Sequence, residues 1–233
     1  MKEDFSNFKS AFIALIGRPN CGKSTLLNTI IGENLSIVSS LPQTTQKKIR
    51  GLYNYDNYQL IFIDTPGIHK GRHILNRSMY KQSVNIFKDK GIDIICYMVD
   101  LSRPLGIEED RIASMVKKVT IPVILIFNKT DLCAMVDESI KQFFEIHPNL
   151  QTKNFLALCA YLPQAKVLFL KTVEPLLSYG PKYYPDDIFS DSNLRFFASE
   201  FIRKQIIETT TDEVPHASCV EIISYKETDT SHS

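Results

Sequence analysis

A mostly parallel α/β sheet flanked by helices and built around a phosphate-binding loop is the fold class this sequence predicts. Three observations predict it. Gly17-Arg-Pro-Asn-Cys-Gly-Lys-Ser24 carries the spacing G-x-x-x-x-G-K-[ST], with an apolar run of strand length before it (12–16) and a run suited to a helix after it (25–31). Strand-like and helix-like stretches alternate through residue 178, which implies helices on both faces of the sheet. Asp64-Thr-Pro-Gly67 and Asn128-Lys-Thr-Asp131 each follow a strand-like stretch, and such sheets bind ligands beyond the carboxyl ends of their strands.

The elements follow in order. After the first strand and helix, residues 35–46 form a polar connection with Ser39-Ser-Leu-Pro-Gln-Thr-Thr45 at its centre. Residues 48–55 and 58–63 read as two strands joined at Asp56-Asn57, a hairpin signal. Residues 74–88 have helical spacing, 92–99 form a buried strand, and 107–118 are helical again. The all-apolar strand 122–127 is followed by a helix over 136–146, a last strand over 154–158 and a helix over 165–177. These elements make up a nucleotide-binding domain over 1–178, and the Pro-, Tyr- and Asp-rich stretch 179–191 reads as a linker. Beyond it, Leu194, Phe197, Ala198, Phe201 and Ile202 repeat at i, i+3, i+4, i+7 and i+8, one apolar helix face. Residues 218–225 read as one strand. A lone helix and strand make a poor core, so 192–233 is expected to dock elsewhere or to be an incomplete domain.

Bulk composition excludes several classes. With 44% hydrophobic and 23% charged residues, the 233-residue chain is an ordinary globular protein. Residues 181–233 carry a net charge of −5, which leaves +6 for residues 1–180, so the tail repels a polyanion. Cys21, Cys96, Cys133, Cys159 and Cys219 form no C-x-x-C, and neither a disulfide framework nor a zinc site is indicated. The start, Met1-Lys-Glu-Asp-Phe5, lacks the apolar centre of a signal peptide, and no run approaches the ~20 apolar residues of a membrane span. A cytoplasmic protein with reduced thiols is the expectation.

The motifs carry specific chemistry. Gly17 and Gly22 allow a tight turn that points successive N–H groups, Asn20 to Thr25, at a phosphate, and the following helix adds partial positive charge. Lys23 reaches the β- and γ-phosphates, while the Ser24 hydroxyl ligates a Mg²⁺ shared with them. Asp64 ends a buried strand, where a carboxylate holds the Mg²⁺ through water, and Gly67 offers a backbone N–H to the γ-phosphate. Asn128-Lys-Thr-Asp131 identifies the base. Asp131 accepts two hydrogen bonds from guanine, at N1–H and the exocyclic amine, where adenine offers nothing matching, and discrimination of ~10⁴ follows. Asn128 bridges the base and the phosphate loop, and the Lys129 stem covers the purine face. Either Thr44 or Thr45 is the switch threonine that closes on Mg²⁺ and γ-phosphate, and Thr45, Lys23 and Gly67 are the candidate catalytic residues. Cys21 beside Lys23 is either a passive loop residue or a thiol of lowered pKa. Together these motifs read as a GTP/GDP switch that hydrolyses GTP.

The motifs resemble those of translation-factor-related GTPases, and almost the whole chain resembles the bacterial Era family. The phosphate loop, Pro42-Gln-Thr-Thr45, Asp64-Thr-Pro-Gly-Ile-His69 and Asn128-Lys-Thr-Asp131 carry the likeness. So do Tyr184-Pro-Asp-Asp-Ile188, Arg195-Phe-Phe-Ala-Ser-Glu-Phe-Ile-Arg203 and Glu213-Val-Pro-His216, which are similar to the entry into the family's C-terminal RNA-binding KH domain. The resemblance implies an α+β KH-type segment over 192–233, small-subunit ribosomal RNA and the 30S-type subunit as partners, a monomer, and peripheral contact with the inner face of the cell membrane. It places the base-contacting pair at Cys159-Ala160, with the Ala160 N–H serving guanine O6.

The sequence also departs from the family pattern. A KH domain clamps RNA with a G-x-x-G loop, yet no glycine follows Gly180, so the KH segment is expected to be incomplete. Gln46 stands where the family usually carries Arg. Ile68 occupies the position at which Ras-like enzymes orient the attacking water with glutamine. Related GTPases with Asn at the Asn20 position use K⁺ as a catalytic charge, which the resemblance extends to this chain; a plain turn residue is the alternative. A second reading is a catalytically weak, GTP-dependent binding module for a protein partner or the membrane surface.

Overall fold

The computed structural model describes residues 7–32, 49–64, 91–150 and 154–185, together with 199, 202, 205, 206, 209 and 220–224. The connection 35–46 and the helix expected over 74–88 lie outside these residues. Among them a seven-stranded sheet runs in the order β2-β3-β1-β4-β5-β6, with β7 paired to β1. The strands are β1 (Lys9–Gly17), β2 (Ile49–Tyr55), β3 (Tyr58–Asp64), β4 (Ile94–Asp100), β5 (Val123–Asn128), β6 (Phe155–Leu158) and β7 (Ser178–Tyr179). Parallel pairing links β3, β1, β4, β5 and β6, while β2 turns back on β3 through Asp56-Asn57 as an antiparallel hairpin. The described α-helices are α1 (Lys23–Ile31), α2 (Ile107–Val116), α3 (Val136–Ile146) and α4 (Pro163–Val173).

Side-chain alternation along the central strands divides the core into two layers. Ile13 and Leu15 of β1, with Cys96 and Met98 of β4, pack beneath α1 and α4 through Leu27, Ile30 and Phe169. Ala14 and Ile16, with Tyr97 and Val99, face α2 and α3 through Ile112, Val116 and Phe143. Strands β1, β4 and β5 are buried along nearly their whole length, and so read as continuous apolar runs. Parallel pairing gathers their carboxyl ends, Gly17, Asp100 and Asn128, at one edge, where Gly17 lies opposite Met98 and Asp100 opposite Asn128. The nucleotide motifs meet at that edge.

Several expectations are refined. The helix over 165–177 ends at Val173 and gives way to a 3₁₀ turn at Glu174–Leu176, because Pro175 cannot donate an N–H to continue an α-helix. Residues 220–224 form no strand, and Ile223 is almost fully exposed: no neighbour among the described residues offers the ladder a strand needs. Residues 199, 202, 205, 206 and 209 are helical as expected, with Thr209 Oγ1 donating to Gln205 O, but Ile202, placed on the apolar face, is half-exposed while Ser199 is buried. Leu194, Phe197, Ala198 and Phe201 lie outside the described residues.

The stretch expected as a linker begins with ordered contacts. Tyr179 pairs with Lys9 and Ser178 with Ser10, and Gly180 N donates to Phe8 O at 3.1 Å. Gln59, fully buried at the start of β3, then holds the strap by its main chain. Its Oε1 accepts from Tyr183 N and Tyr184 N, both at 3.0 Å, and its Nε2 donates to Tyr184 O at 2.9 Å and to Asn54 Oδ1 at 2.7 Å. Tyr183 also packs edge-on against Phe12, with ring centroids 4.9 Å apart. Gln59→Ala leaves these main-chain groups without that partner and should cost roughly 2–3 kcal/mol in urea unfolding. Amide exchange at Tyr183 and Tyr184 should accelerate alongside; protection equal to wild type would contradict the clamp.

Candidate functional site

The phosphate loop is shaped by residues that have no room for a side chain or that tolerate left-handed backbone. Gly17 has φ 154, and a Cβ there would lie 2.5 Å from Met98 O and 2.6 Å from Cys21 Sγ. Gly22 has φ 102, and its Cβ would collide with Asn128 Nδ2. Asn20, at φ 61, is the kind of residue that adopts this conformation without glycine. The loop opens into α1, whose first intrahelical bond runs from Leu26 N to Gly22 O, so Ser24 and Thr25 lie in the first turn with the positive end of the helix beside them. Lys23 is buried, and its Nζ donates to Arg18 O at 2.9 Å and Gly17 O at 3.4 Å, which holds the amine inside the curve of the loop. A glycine-walled turn with an ammonium inside it and a helix N-terminus behind it fits a phosphate chain.

Cys21 contributes packing and not a reactive thiol. Its side chain is fully buried, and burial pushes the thiol pKa up; Lys23 opposes this, but Glu109 and Asp100 add to it. The thiol of lowered pKa is therefore ruled out by desolvation.

Asn128 fastens the end of β5 to the glycine-walled loop and to the segment after β6. Only 2% exposed at the end of β5, it donates from Nδ2 to Cys21 O at 2.8 Å and accepts at Oδ1 from Ala160 N at 2.8 Å. The Ala160 N–H expected to meet guanine O6 is thus engaged by Asn128 in this structure. Lys129 has φ 65, and Asp131 stands exposed in the short 3₁₀ turn Thr130–Leu132. Beside it, the Cys159 thiol is raised first by burial and then by its hydrogen bond with Asp131, and the exposed Tyr161 hydroxyl is raised by Cys159 and by the Asp131 charge. Asp131, Cys159 and Tyr161 therefore lie near one another after β5 and β6. Asp64 closes β3 opposite Leu15, two residues short of the phosphate loop. Thr44, Thr45, Gly67 and Ile68 lie outside the described residues.

Sequence reasoning missed a set of buried charges behind the loop. Asp100, fully buried, accepts at Oδ2 from Lys129 Nζ at 2.9 Å and Arg103 Nε at 2.8 Å, and at Oδ1 from Ser102 N and Oγ at 3.0 and 2.6 Å. Arg103 Nη2 continues to Pro19 O at 2.9 Å. Burial works to raise the Asp100 carboxyl, but the hydrogen bonds from Ser102 and Lys129 and the charges of Lys129 and Arg103 outweigh it and hold the pKa below its ordinary 3.8. Farther back, Arg18 donates to Pro104 O and lies against Glu109, whose Oε1 accepts from Tyr97 OH at 2.6 Å. The Arg18 Nε and Glu109 Oε2 atoms are close enough to pair by charge, but they are out of line for a hydrogen bond. Burial accordingly wins at Glu109 and raises its pKa despite Tyr97 and Arg18. One signal was available for Asp100: like Asp64, it is an acid closing a buried strand at the carboxyl edge of the sheet.

Comparison with known proteins bears on this geometry. A family model described as 50S ribosome-binding GTPase matches residues 12–129. GTPase Era of Geobacter metallireducens is 38% identical over 222 residues, covering 94% of this chain and 73% of that protein. This chain belongs to the Era family of GTPases. GTPase Era of Clostridium botulinum is likewise 38% identical over 221 residues. Among solved structures, Era in complex with MgGDPNP and nucleotides 1506–1542 of 16S ribosomal RNA superimposes with a TM-score of 0.83 at 30% identity, covering 90% of this chain and 70% of that one. A single-site variant of Aquifex aeolicus Era bound to GDP·AlF₄⁻ gives 0.81 at 31%, over 89% and 70% of the two chains. A probable GTP-binding protein engB, at 0.56 and 20%, shares the fold.

Two outcomes follow for the site. Gly22→Ala strains a left-handed position by about 1–2 kcal/mol and displaces Asn128, so GDP affinity measured by fluorescence titration should fall at least ~10-fold. Asp100 has a depressed pKa, so its stabilisation is present above the ordinary carboxyl value of 3.8 and is lost as pH falls through its lower folded value. In urea unfolding, the stability gap between wild type and Asp100→Asn should therefore narrow below pH 3.8; a constant gap would refute the assignment.

Proposed function

We propose that this Era-family chain is a GTP-hydrolysing switch that acts in small ribosomal subunit assembly. The observation that carries the reading is the Asn128 bridge, which joins the segment bearing Asp131 to the loop bearing Lys23. A ligand with both a guanine edge and a phosphate chain engages the two segments at once. Asp131 takes the guanine N1–H and amine, with Lys129, Cys159 and Ala160 around the base. Lys23, Gly22 and Thr25 take the phosphates. Ser24, Asp64 and Thr45 would hold a Mg²⁺, whose charge is drawn by the β- and γ-phosphate oxygens and lowers the barrier to transfer. The Gly67 N–H meets the γ-phosphate.

Ile68 cannot orient a water, so unassisted turnover is slow, about 10⁻⁴–10⁻² s⁻¹ by comparison with other unassisted switches. Asn20, in the left-handed turn of the loop, would take part in holding K⁺, whose charge would supply what an arginine finger supplies elsewhere. A relative crystallised with nucleotides of 16S ribosomal RNA supports an RNA partner of the same kind here. The apolar side chain of Ile68 is also what favours a second reading, a catalytically weak, GTP-dependent binding module for a protein partner or the membrane surface. No helix among the described residues is long and apolar enough to cross a membrane, so the membrane contact of that reading would be peripheral, from the cytoplasmic side.

The test is GTP turnover with Mg²⁺ in K⁺ and in Na⁺, with binding of RNA carrying the small-subunit 3′ end measured on the same chain. Turnover faster in K⁺ is the expected result; turnover without RNA binding would mark a switch that lacks the family's RNA reader, and specific RNA binding would mean that residues other than a G-x-x-G loop supply the RNA surface. Nucleotide binding without turnover in either salt would move the assignment to the second reading. Asp131→Asn should transfer preference from guanosine to xanthosine nucleotides, because the carbonyl that xanthine carries in place of the guanine amine matches an amide donor. Retained GTP preference would remove Asp131 from the base site.

A further inference from the structure

We propose that Asp100 is a positioning residue that couples the guanine-reading segment to the phosphate loop, with Lys129 as one arm and Arg103 as the other. The inference rests on the guanine-nucleotide reading above and deepens it. Asp100 lies opposite Asn128 in the β4–β5 register, and Leu101 N donates to Asn128 O at 3.0 Å, so its backbone is tied to the residue that precedes Lys129. Its carboxylate is saturated: four donors fill the four lone-pair sites that two oxygens offer. Ser102 supplies two of them from the next turn of chain and fixes the carboxylate plane. The remaining two are the arms.

Along the first arm, Asp100 Oδ2 anchors the Lys129 amine at 2.9 Å. An unanchored lysine stem samples many rotamers and loses that freedom whenever a ligand fixes it. Anchored by its amine, and set on a backbone already held at φ 65, the stem is ordered before any base arrives. Along the second arm, the same oxygen orients Arg103 Nε at 2.8 Å, and the other end of the guanidinium donates to the Pro19 carbonyl at 2.9 Å. Pro19 adjoins Asn20 in the turn of the phosphate loop. A planar guanidinium transmits orientation rigidly from one acceptor to the other. One buried charge therefore sets both the residue beside the base and the curvature of the loop beneath the phosphates.

The relay touches the base side and the loop backbone, and neither arm ends at a residue assigned to the γ-phosphate. It should therefore act on GDP and GTP alike, unlike a γ-phosphate contact, whose loss falls on GTP. The experiment measures affinity and dissociation rate of fluorescent GDP and of a non-hydrolysable GTP analogue. It uses the full chain as wild type, Asp100→Asn, Arg103→Ala, Lys129→Ala and the double variant Asp100→Asn/Arg103→Ala. Asp100→Asn should weaken both nucleotides by the same factor, roughly tenfold or more, as expected for losing bonds to a charged group. Arg103→Ala, at a side chain 40% exposed, should lower the nucleotide-free unfolding midpoint modestly, by loss of one donor to the buried Asp100, while speeding release of both nucleotides. In the Asp100→Asn background it should add little. A purely structural Asp100 would instead give independent, multiplicative effects, and that result overturns the proposal. So does wild-type affinity in Asp100→Asn. If Asp100→Asn does not fold, Arg103→Ala decides alone, and unchanged release in it overturns the proposal. Wild type that binds no guanine nucleotide would refute the functional reading itself, and the relay with it.

Discussion

A single carboxamide constrains the whole functional edge of this molecule. Asn128 is almost fully buried and spends both ends of its amide on main-chain groups, one in the phosphate loop and one in the segment after β6. The nitrogen that reaches Cys21 O lies where a side chain on Gly22 would be, so the glycine and the asparagine are parts of one fit. The parallel sheet makes the fit available. Pairing of β1 with β4 and of β4 with β5 brings the ends of three strands, distant in sequence, to one rim. Fold and site are linked here by register: a shift of one residue in β5 would turn Asn128 to the other face of the sheet.

Behind that rim, two buried carboxylates meet the same problem with opposite results. Asp100 receives four hydrogen bonds and two cationic partners, and its charge is favoured despite burial. Glu109 has Tyr97 and Arg18, but the guanidinium approaches out of line, and burial prevails. A buried ion pair repays desolvation only when geometry and additional hydrogen bonds are both good. The contrast lies in the number and alignment of donors, four at Asp100 against one at Glu109, and in the deeper burial of Glu109.

The strands and helices around the site were legible because each carries an apolar pattern of the right period, and helix α3 spans the residues its periodicity implies. The backbone turns that carry Lys23, Ser24, Asn128 and Asp131 were legible because their motifs encode local backbone geometry. Arg18 and Glu109 were not, because they are 91 positions apart and meet only through packing of α2, and the roles of Asp100 and Arg103 were not, because their outer links run to Lys129 and to Pro19, 29 and 84 positions away. Periodicity says nothing about such pairs. The strap after α4 was hidden for a similar reason. Its Pro- and Tyr-rich composition reads as a connection, while the group that holds it, Gln59, lies more than a hundred positions earlier inside a strand that looks wholly structural. Residues 220–224 illustrate the converse, since strand-like composition does not make a strand without a partner edge.

The Gln59 clamp has a consequence for how this protein can change. Its three bonds to the strap all end on main-chain N–H and C=O groups, which every amino acid except proline supplies in full. These three bonds ask nothing of the side chains they hold, while Tyr183 is restrained separately by its packing on Phe12. The anchor is indifferent to the vocabulary of the segment it holds. Whatever follows the strap can diversify in sequence while remaining moored at the same point on the sheet, opposite the end that reads the nucleotide.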